Sequence, residues 1–120
     1  VKSDFETVLS GVTWGKPKIP FVSCTAPGFE QTFADNHFWQ VAREPIRLSE
    51  TIQFQELKGS YNYVDVGASG MMANAVRNNL KQGSKSQVFS VMSPFGGNIK
   101  NLEKTRSALT KNKFIKMIKV

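Results

Sequence analysis

The segment from Tyr61 to Leu80 constrains the fold more than any other part of the sequence. It begins with "YNYVDV", in which apolar and polar residues alternate as they do along a β-strand. Gly67 and Gly70 interrupt this alternation, and Met71 to Leu80 is rich in residues that favour a helix. In a strand–turn–helix unit of this kind, the strand pairs with others in a sheet and the helix packs on a face of that sheet. The segment therefore predicts an α/β arrangement.

The remainder of the chain repeats this alternation of strands and helices. The apolar runs "KIPFVSC" and "SQVFSVMS" predict two more strands, and "PFGGN" predicts a turn. Helices are predicted from a capping box at Ser3, from a cap at Asp35 or Asn36, from a cap at Ser49, and over Leu102 to Leu109. Pro45 ends the second helix, because the residue before a proline avoids the helical region. The predicted fold class is α/β, with short parallel strands and flanking helices.

Composition narrows the class of protein further. A chain of 120 residues with 40% hydrophobic and 21% charged residues fits about one globular domain. No apolar run approaches the roughly 18 residues of a membrane span, so we expect no membrane partner. The single cysteine, Cys24, excludes an internal disulfide and a multi-thiolate metal site. We expect a cytoplasmic location and no bound metal.

Charge is distributed unevenly along the chain. Residues 1–76 carry six Lys/Arg and eight Asp/Glu, whereas residues 77–120 carry ten Lys/Arg and one acid, Glu103. A basic region of this kind attracts nucleic acid, a membrane surface or an acidic protein, or else it is a solvated terminus. The aromatic residues lie in apolar runs, which indicates core positions and argues against a base-stacking surface. We therefore expect no nucleic-acid partner.

Ser69 lies in a glycine turn between a strand and a helix, where hydrolases place a nucleophile. A nucleophile elbow needs glycine two residues before and two residues after the serine. Gly67 meets the first condition, but Met71 occupies the second position, and the only histidine, His37, lies beside Phe38 and Trp39. We interpret Ser69 as a turn residue. Gly67 and Gly70 also lie between a strand and a helix, which is a place where backbone N–H groups can hold a phosphate. The full dinucleotide fingerprint is absent.

Three segments in a fixed order carry a resemblance to a known family. They are "LSGVTWGKPKIPFVSC", "HFWQVAREPIRLSETIQ" and "YNYVDVGASGMM". Their order resembles the C-terminal part of malonyl-CoA:acyl carrier protein transacylase and of the acyltransferase domains of polyketide synthases. The positions that match the family are Pro17, Pro20, Ser23, Phe38, Trp39, Arg43, Pro45, Ile46, Val66 and Gly67. Asp65 replaces the usual Glu, Cys24 the usual Asn, and Ala68 the usual Pro of this family.

The resemblance implies a fold and a division of the chain. Residues 1–82 would form the C-terminal part of the α/β-hydrolase-like large subdomain of an acyltransferase. Residues 83–120 would form a basic extension of strand, turn and helix. Phe21 and Val64 are expected on neighbouring strands of a parallel sheet. One core is expected from Leu9, Ile19, Phe21, Val22, Val64, Val66 and Ala75.

The resemblance also implies an activity for the parent protein. Such an enzyme moves a malonyl or related acyl group from coenzyme A to the phosphopantetheine of an acyl carrier protein, in polyketide or fatty-acid synthesis. Coenzyme A thioester is its substrate, and no cofactor is bound covalently. The family's nucleophilic serine and basic histidine would both fall outside this chain, which would be inactive alone. The alternative is a non-catalytic acyltransferase remnant that serves as a docking module in a polyketide synthase.

One catalytic role can be carried over to this chain. The resemblance assigns to Val41 the main-chain carbonyl that orients the missing histidine and so leaves its Nε2 as the base. The expected partners are an acyl carrier protein and the remainder of the acyltransferase or polyketide synthase. Candidate contacts for the carrier protein are Lys81, Lys85, Lys111, Lys113 and Lys116. Alternatively, "KNKFIKMIKV" is a helix that packs Phe114, Ile115 and Ile118 and leaves its lysines solvated.

Overall fold

The computed structural model describes residues 1–25, 28–30, 36–111 and 117–119. These residues form five helices and five short strands, so the predicted α/β class with short parallel strands is confirmed. In chain order the elements are α1 (Lys2–Ser10), β1 (Phe21–Val22), β2 (Phe29–Glu30), α2 (His37–Arg43), α3 (Leu48–Glu56), β3 (Asn62–Asp65), α4 (Met71–Asn79), β4 (Gln87–Ser90), α5 (Asn98–Lys111) and β5 (Met117–Lys119).

The chain divides into two compact units. Unit 1 is Val1–Thr51 and unit 2 is Ile52–Val120, and α3 begins in the first unit and ends in the second. The expected division of the chain after residue 82 stays a prediction.

Unit 1 contains two helices joined through aromatic rings. The edge of the Phe5 ring in α1 meets Trp39 in α2, with ring centroids 5.6 Å apart. The predicted capping box at Ser3 does not form, because α1 already begins at Lys2 with Val1 at its N-cap position. A serine inside the first turn cannot accept the N–H bonds that an N-cap serine accepts.

The two strands of unit 1 form their own small sheet. β1 and β2 pair antiparallel, with Phe21 opposite Glu30 and Val22 opposite Phe29. The expected parallel pairing of Phe21 with Val64 is therefore wrong. The strand that contains Val64 is flanked by β4 on one edge and β5 on the other, and a strand in a sheet has only two edges to pair.

Unit 2 is built on a three-stranded parallel sheet in the order β4–β3–β5. In the central strand, Tyr63 lies opposite Val88 on one side and Ile118 on the other. The alternative of a C-terminal helix is wrong for residues 117–119, which are a strand, and residues 112–116 lie outside the described ranges. Among the residues of this unit whose burial is described, the buried apolar ones are Ile52, Tyr61, Tyr63, Ala73 and Val76.

The list of core residues predicted from sequence is partly wrong. Ile19 is 58% exposed and Val66 is 57% exposed. The other five predicted residues, Leu9, Phe21, Val22, Val64 and Ala75, are partly buried. Of the helices in the described ranges, none is both long enough and apolar enough to cross a membrane.

Candidate functional site

The amino end of α2 is buried in an aromatic cluster of unit 1. His37 is 4% exposed, and its ring meets the Phe21 ring at 5.9 Å and the Phe38 ring at 5.2 Å between centroids. A ring enclosed in this way is poorly placed to exchange protons with a substrate in solvent.

The carboxyl end of α2 leaves its last carbonyls without helical donors, and that of Val41 is the first of them. The Glu44 N–H donates to the Gln40 carbonyl at 2.8 Å, and Glu44 itself is extended, with φ −90° and ψ 157°. The next bond in this series would run from residue 45 to the Val41 carbonyl. Residue 45 is proline, which has no N–H, so the helix cannot supply that bond. The "VAREP" sequence thus creates a main-chain acceptor at Val41.

A cavity of about 200 Å³ adjoins this helix end within unit 1, and Ser23, Cys24, Val41 and Pro45 are among its lining residues. The Arg47 N–H donates to the Cys24 carbonyl at 2.8 Å and ties the segment after α2 to the segment after β1. This arrangement offers an acceptor and a confined space. Its cysteine thiol is free and partly buried.

Ser23 reinforces the loop after β1. Its side chain is 3% exposed, its Oγ lies 2.8 Å from Thr25 Oγ1, and it accepts the Thr25 N–H at 3.2 Å. A serine bonded in this way to a residue two positions ahead forms a tight turn. Ser23 therefore supports the wall of the cavity.

The turn after β3 is built around a buried carboxylate. Asp65 is 8% exposed; its Oδ1 accepts the Gly67 N–H and its Oδ2 accepts the Ala73 N–H, both at 2.8 Å. Ser69 is exposed, and its Oγ accepts the Met71 N–H at 3.3 Å. Gly70 has φ +66°, and a Cβ there would lie 2.7 Å from Ser90 Oγ. Each polar group named here serves to build the turn, which agrees with the reading of Ser69 as a turn residue.

A second carboxylate joins three segments of unit 2. Glu56 accepts hydrogen bonds from Tyr63 Oη at 2.8 Å, Ser86 Oγ at 2.7 Å and Ser84 Oγ at 2.6 Å. Burial acts to raise the pKa of Glu56, but these three bonds outweigh it and leave the pKa below its ordinary value. Burial, followed by the bond to Glu56, raises the pKa of Tyr63.

The sequence alone does not show that Asp65 and Glu56 accept these bonds. Asp65 stands out only as a replacement for the family's usual Glu, and Glu56 belongs to no motif. The residues that Glu56 joins are separated by up to 30 positions along the chain, so no local pattern announces the contact. In the described ranges no three His, Cys, Asp or Glu residues lie close enough to hold a metal ion.

Three of the five lysines expected to contact a carrier protein lie in the described residues. Lys81, Lys85 and Lys111 are exposed, whereas Lys113 and Lys116 lie outside the described residues. No lysine among the first three takes part in an ion pair identified in the described part of the chain.

Comparison with known proteins relates the chain to polyketide biosynthesis. A polyketide biosynthesis acyltransferase homolog of Bacillus subtilis, PksD, is 29% identical over 101 residues, which are 84% of this chain and 31% of that protein. The homolog BaeD of Bacillus velezensis is 33% identical over 79 residues, or 66% of this chain and 24% of that protein. ThaF of Burkholderia thailandensis, a polyketide biosynthesis protein, is 34% identical over 89 residues, or 72% of this chain and 8% of that protein.

The fold is shared with a solved acyltransferase. The acyltransferase domain from the second module of the salinomycin polyketide synthase matches 98% of this chain with a TM-score of 0.76, at 14% identity. The match covers 31% of that domain's chain. In sequence and in fold, this chain resembles polyketide acyltransferases. No family model matches it.

These similarities confirm the resemblance seen in the three ordered segments. The chain spans less than a third of the length of PksD, and less of BaeD and ThaF. It corresponds to the C-terminal part of an acyltransferase. The role of Val41 in orienting a histidine stays a prediction.

Proposed function

We propose that this chain forms the C-terminal part of a polyketide acyltransferase and supplies the main-chain acceptor for the catalytic histidine. The observation that carries the proposal is Pro45, which removes the helical donor from the Val41 carbonyl. An imidazole whose Nδ1–H donates to this carbonyl keeps its Nε2 unprotonated and ready to act as a base. The serine and the histidine of the reaction would lie outside these 120 residues.

The proposed reaction has two balanced halves. The serine hydroxyl of the parent protein attacks the thioester carbon of an acyl coenzyme A, and its proton passes to the histidine Nε2. The carbon–sulfur bond then breaks, and coenzyme A leaves as a thiol with that proton. In the second half, the phosphopantetheine thiol of a carrier protein gives its proton to the histidine and attacks the acyl-serine carbon. The ester carbon–oxygen bond then breaks, and the serine oxygen takes that proton to regenerate the hydroxyl. Malonyl is the proposed acyl group.

The role of the Val41 carbonyl can be tested by a substitution at a neighbouring residue, because no side-chain change removes the carbonyl itself. In a full-length acyltransferase that contains this segment, Pro45→Ala restores an N–H and lets Glu44 become helical, so that this N–H can donate to Val41. We expect the rate of acyl-serine formation to fall roughly tenfold, because the histidine then competes for its acceptor. The pH at which the rate is half-maximal should shift as well, since the histidine loses part of its orientation.

Val41→Ala is the matched control. It shortens a half-exposed side chain but keeps the carbonyl, so the rate should stay within about twofold. Equal losses in the two variants, or no loss in Pro45→Ala at unchanged melting temperature, would contradict the proposed role of the carbonyl.

The absence of activity in the isolated chain is a separate test. Purified residues 1–120 should transfer no malonyl from malonyl coenzyme A, and Ser69→Ala should change nothing. Stoichiometric acylation of the chain that is lost in Ser69→Ala would overturn the proposal, because it would place the nucleophile in the turn after β3.

An acyl carrier protein is the proposed acidic partner of the basic residues after position 76. The net charge of +9 over residues 77–120 would steer such a partner and raise the association rate, with an effect that fades as salt screens it. Changing Lys81, Lys85, Lys111, Lys113 and Lys116 to glutamine in the parent protein should slow association at low salt. An unchanged rate would exclude steering by these lysines.

The alternative function is that of a docking module without catalysis. It would be favoured if the full-length protein binds a carrier protein or a polyketide synthase but forms no acyl-enzyme with any acyl coenzyme A. Mass spectrometry of the intact protein after mixing with malonyl coenzyme A separates the two functions directly.

A further inference from the structure

Unit 2 contains a polar groove. Its volume is about 350 Å³, and residues of α4, β4, α5 and the turn that precedes α5 line it. Ser90, the last residue of β4, is part of the lining, so the groove lies at the carboxyl end of a parallel strand. In open α/β sheets this end of the strands is where ligands bind.

The charge of the groove favours an anion. Arg77 from α4 and Lys104 from α5 both line it, and none of the described lining residues is acidic. Arg77 Nη1 donates to Asn74 Oδ1 at 2.8 Å, and Nη2 donates to the Val88 carbonyl at 3.3 Å. These bonds orient the guanidinium in advance and lower the entropy that a ligand would lose in ordering it. Guanidinium and ammonium groups together suit a phosphate.

The glycine turn beside the groove does not itself provide the phosphate site suggested by the sequence. The N–H groups of Gly67 and Ala73 already donate to Asp65, and the Met71 N–H donates to Ser69 Oγ. These three donors are therefore used within the turn. The positive charge that an anion would meet in the groove comes from the side chains of Arg77 and Lys104.

An exposed aromatic ring borders the same groove. Phe95 is 96% exposed and lies in the turn before α5. Three bonds hold this turn: the Phe95 N–H donates to Ser93 Oγ at 3.1 Å, the Ser93 N–H donates to Asn98 Oδ1 at 2.9 Å, and the Gly96 N–H donates to the Ser93 carbonyl at 3.2 Å. A phenylalanine ring that stands in solvent on a braced turn offers a face on which a planar base can stack.

We propose that this groove binds a nucleotide, with Arg77 and Lys104 on the phosphate and Phe95 against the base. The volume lies within the range of small-molecule sites, which begins at about 300 Å³. The inference goes beyond the proposed acyl transfer, because neither an acyl group nor the catalytic histidine takes part. Coenzyme A contains an adenine nucleotide and is one source of this chemistry; free nucleotides are another.

The test is a titration of the full chain with adenosine 3′,5′-bisphosphate, followed by calorimetry and by backbone amide shifts. Coenzyme A, inorganic phosphate and adenosine are titrated in parallel. We expect saturable binding of the bisphosphate, with amide shifts centred on Gly70, Phe95 and Lys104. Coenzyme A that binds more tightly than the bisphosphate would identify it as the preferred source.

Two matched double variants distinguish binding in the groove from non-specific electrostatic attraction to the basic surface. Arg77→Gln with Lys104→Gln should weaken binding at least about tenfold. Lys81→Gln with Arg106→Gln removes the same number of charges from exposed positions of unit 2 outside the groove lining, and should change binding less than about threefold. Phe95→Ala should weaken the nucleotide about fivefold and leave inorganic phosphate unchanged.

Folding of the variants is checked by tyrosine circular dichroism, because both tyrosines lie in unit 2. Lys104→Gln alone preserves the hydrogen bonds of Arg77 and should still weaken binding several-fold. The proposal is overturned if no ligand saturates the chain, if both double variants lose affinity equally, or if inorganic phosphate binds as tightly as the nucleotide.

Discussion

Unit 1 and unit 2 bury different kinds of side chain. In unit 2 the buried residues include the apolar Ile52, Tyr61, Tyr63, Ala73 and Val76. Among the described residues of unit 1, those that are buried are Ser23, His37 and Thr51, all of them polar. Removing apolar surface from water is the main driving force for folding. Unit 2 therefore contains a hydrophobic core of its own, whereas unit 1 is built from ring contacts and turns.

The strands of the two units differ in the same way. β3 and β4 pair over four residues each, while β1 and β2 pair over two. An isolated pair of short strands is marginally stable in water. The comparison therefore predicts that unit 2 resists unfolding better than unit 1. The two tryptophans, Trp14 and Trp39, lie in unit 1 and the two tyrosines in unit 2, so tryptophan fluorescence and tyrosine circular dichroism follow the units separately.

The largest effect is expected from Asp65→Ala in unit 2. The substitution leaves the Gly67 and Ala73 N–H groups without the carboxylate that joins β3 to α4. We expect the free energy of unfolding followed by tyrosine to fall by about 2–4 kcal/mol. Urea titration measures this, and Ser69→Ala, which removes a single exposed acceptor in the same turn, is the control. A loss below that of the control would show that the carboxylate does not hold unit 2 together.

A smaller loss is expected from Glu56→Gln. The amide retains one oxygen acceptor where the carboxylate has two, so it cannot accept all three hydroxyls. We expect a loss of about 1–2 kcal/mol, reduced from a fully buried case because solvent screens this partly exposed group.

The same residue makes stability depend on pH. The pKa of Glu56 is lower in the folded than in the unfolded chain, so its contribution is complete above the unfolded value of about 4.3 and is lost as pH falls through the folded value. Stability measured between neutral and acid pH should fall less in Glu56→Gln than in the wild type. Parallel curves would contradict the role of the ionised carboxylate.

A loss confined to unit 1 is expected from Phe5→Ala. This change removes the ring that meets Trp39 but leaves both tryptophan probes in place. The free energy of unfolding measured by tryptophan fluorescence should fall by about 1 kcal/mol. The free energy of unfolding measured by tyrosine circular dichroism should not change. Val8→Ala, at a position on the same helix that is 75% exposed, serves as the control. Equal losses for both probes would mean that the two units unfold as one.

The smallest effects are expected at Ile19 and Val66, one in each unit. Both are more than half exposed, although both were predicted to lie in the core. Ile19→Ser and Val66→Ser should each change the free energy of unfolding by less than about 0.5 kcal/mol. Urea titrations of both variants measure this. A loss above about 2 kcal/mol at either position would show that the residue lies in a core after all.

Several elements were predictable because their causes are local. The helix at Met71 begins where Gly70 adopts a left-handed conformation, which a non-glycine residue rarely adopts. α2 ends before Pro45, and the same proline deprives the Val41 carbonyl of its donor. The strand at Asn62–Asp65 follows from alternation within six residues. In each case the deciding residues are neighbours in the chain, so the sequence displays the cause.

The sequence by itself thus determined the α/β class, the strand–turn–helix over β3 and α4, and the resemblance to polyketide acyltransferases, which the comparisons confirm. The strands β2 and β5 were not predicted from it. Tertiary structure alone decided that β1 pairs with β2 and not with β3, because the choice depends on which distant strands occupy both edges of β3. It also decided that Asp65 and Glu56 become acceptors for several donors, and that Arg77 and Lys104 share one groove. Such contacts join residues far apart in the chain, and their energies depend on packing that local propensity does not encode.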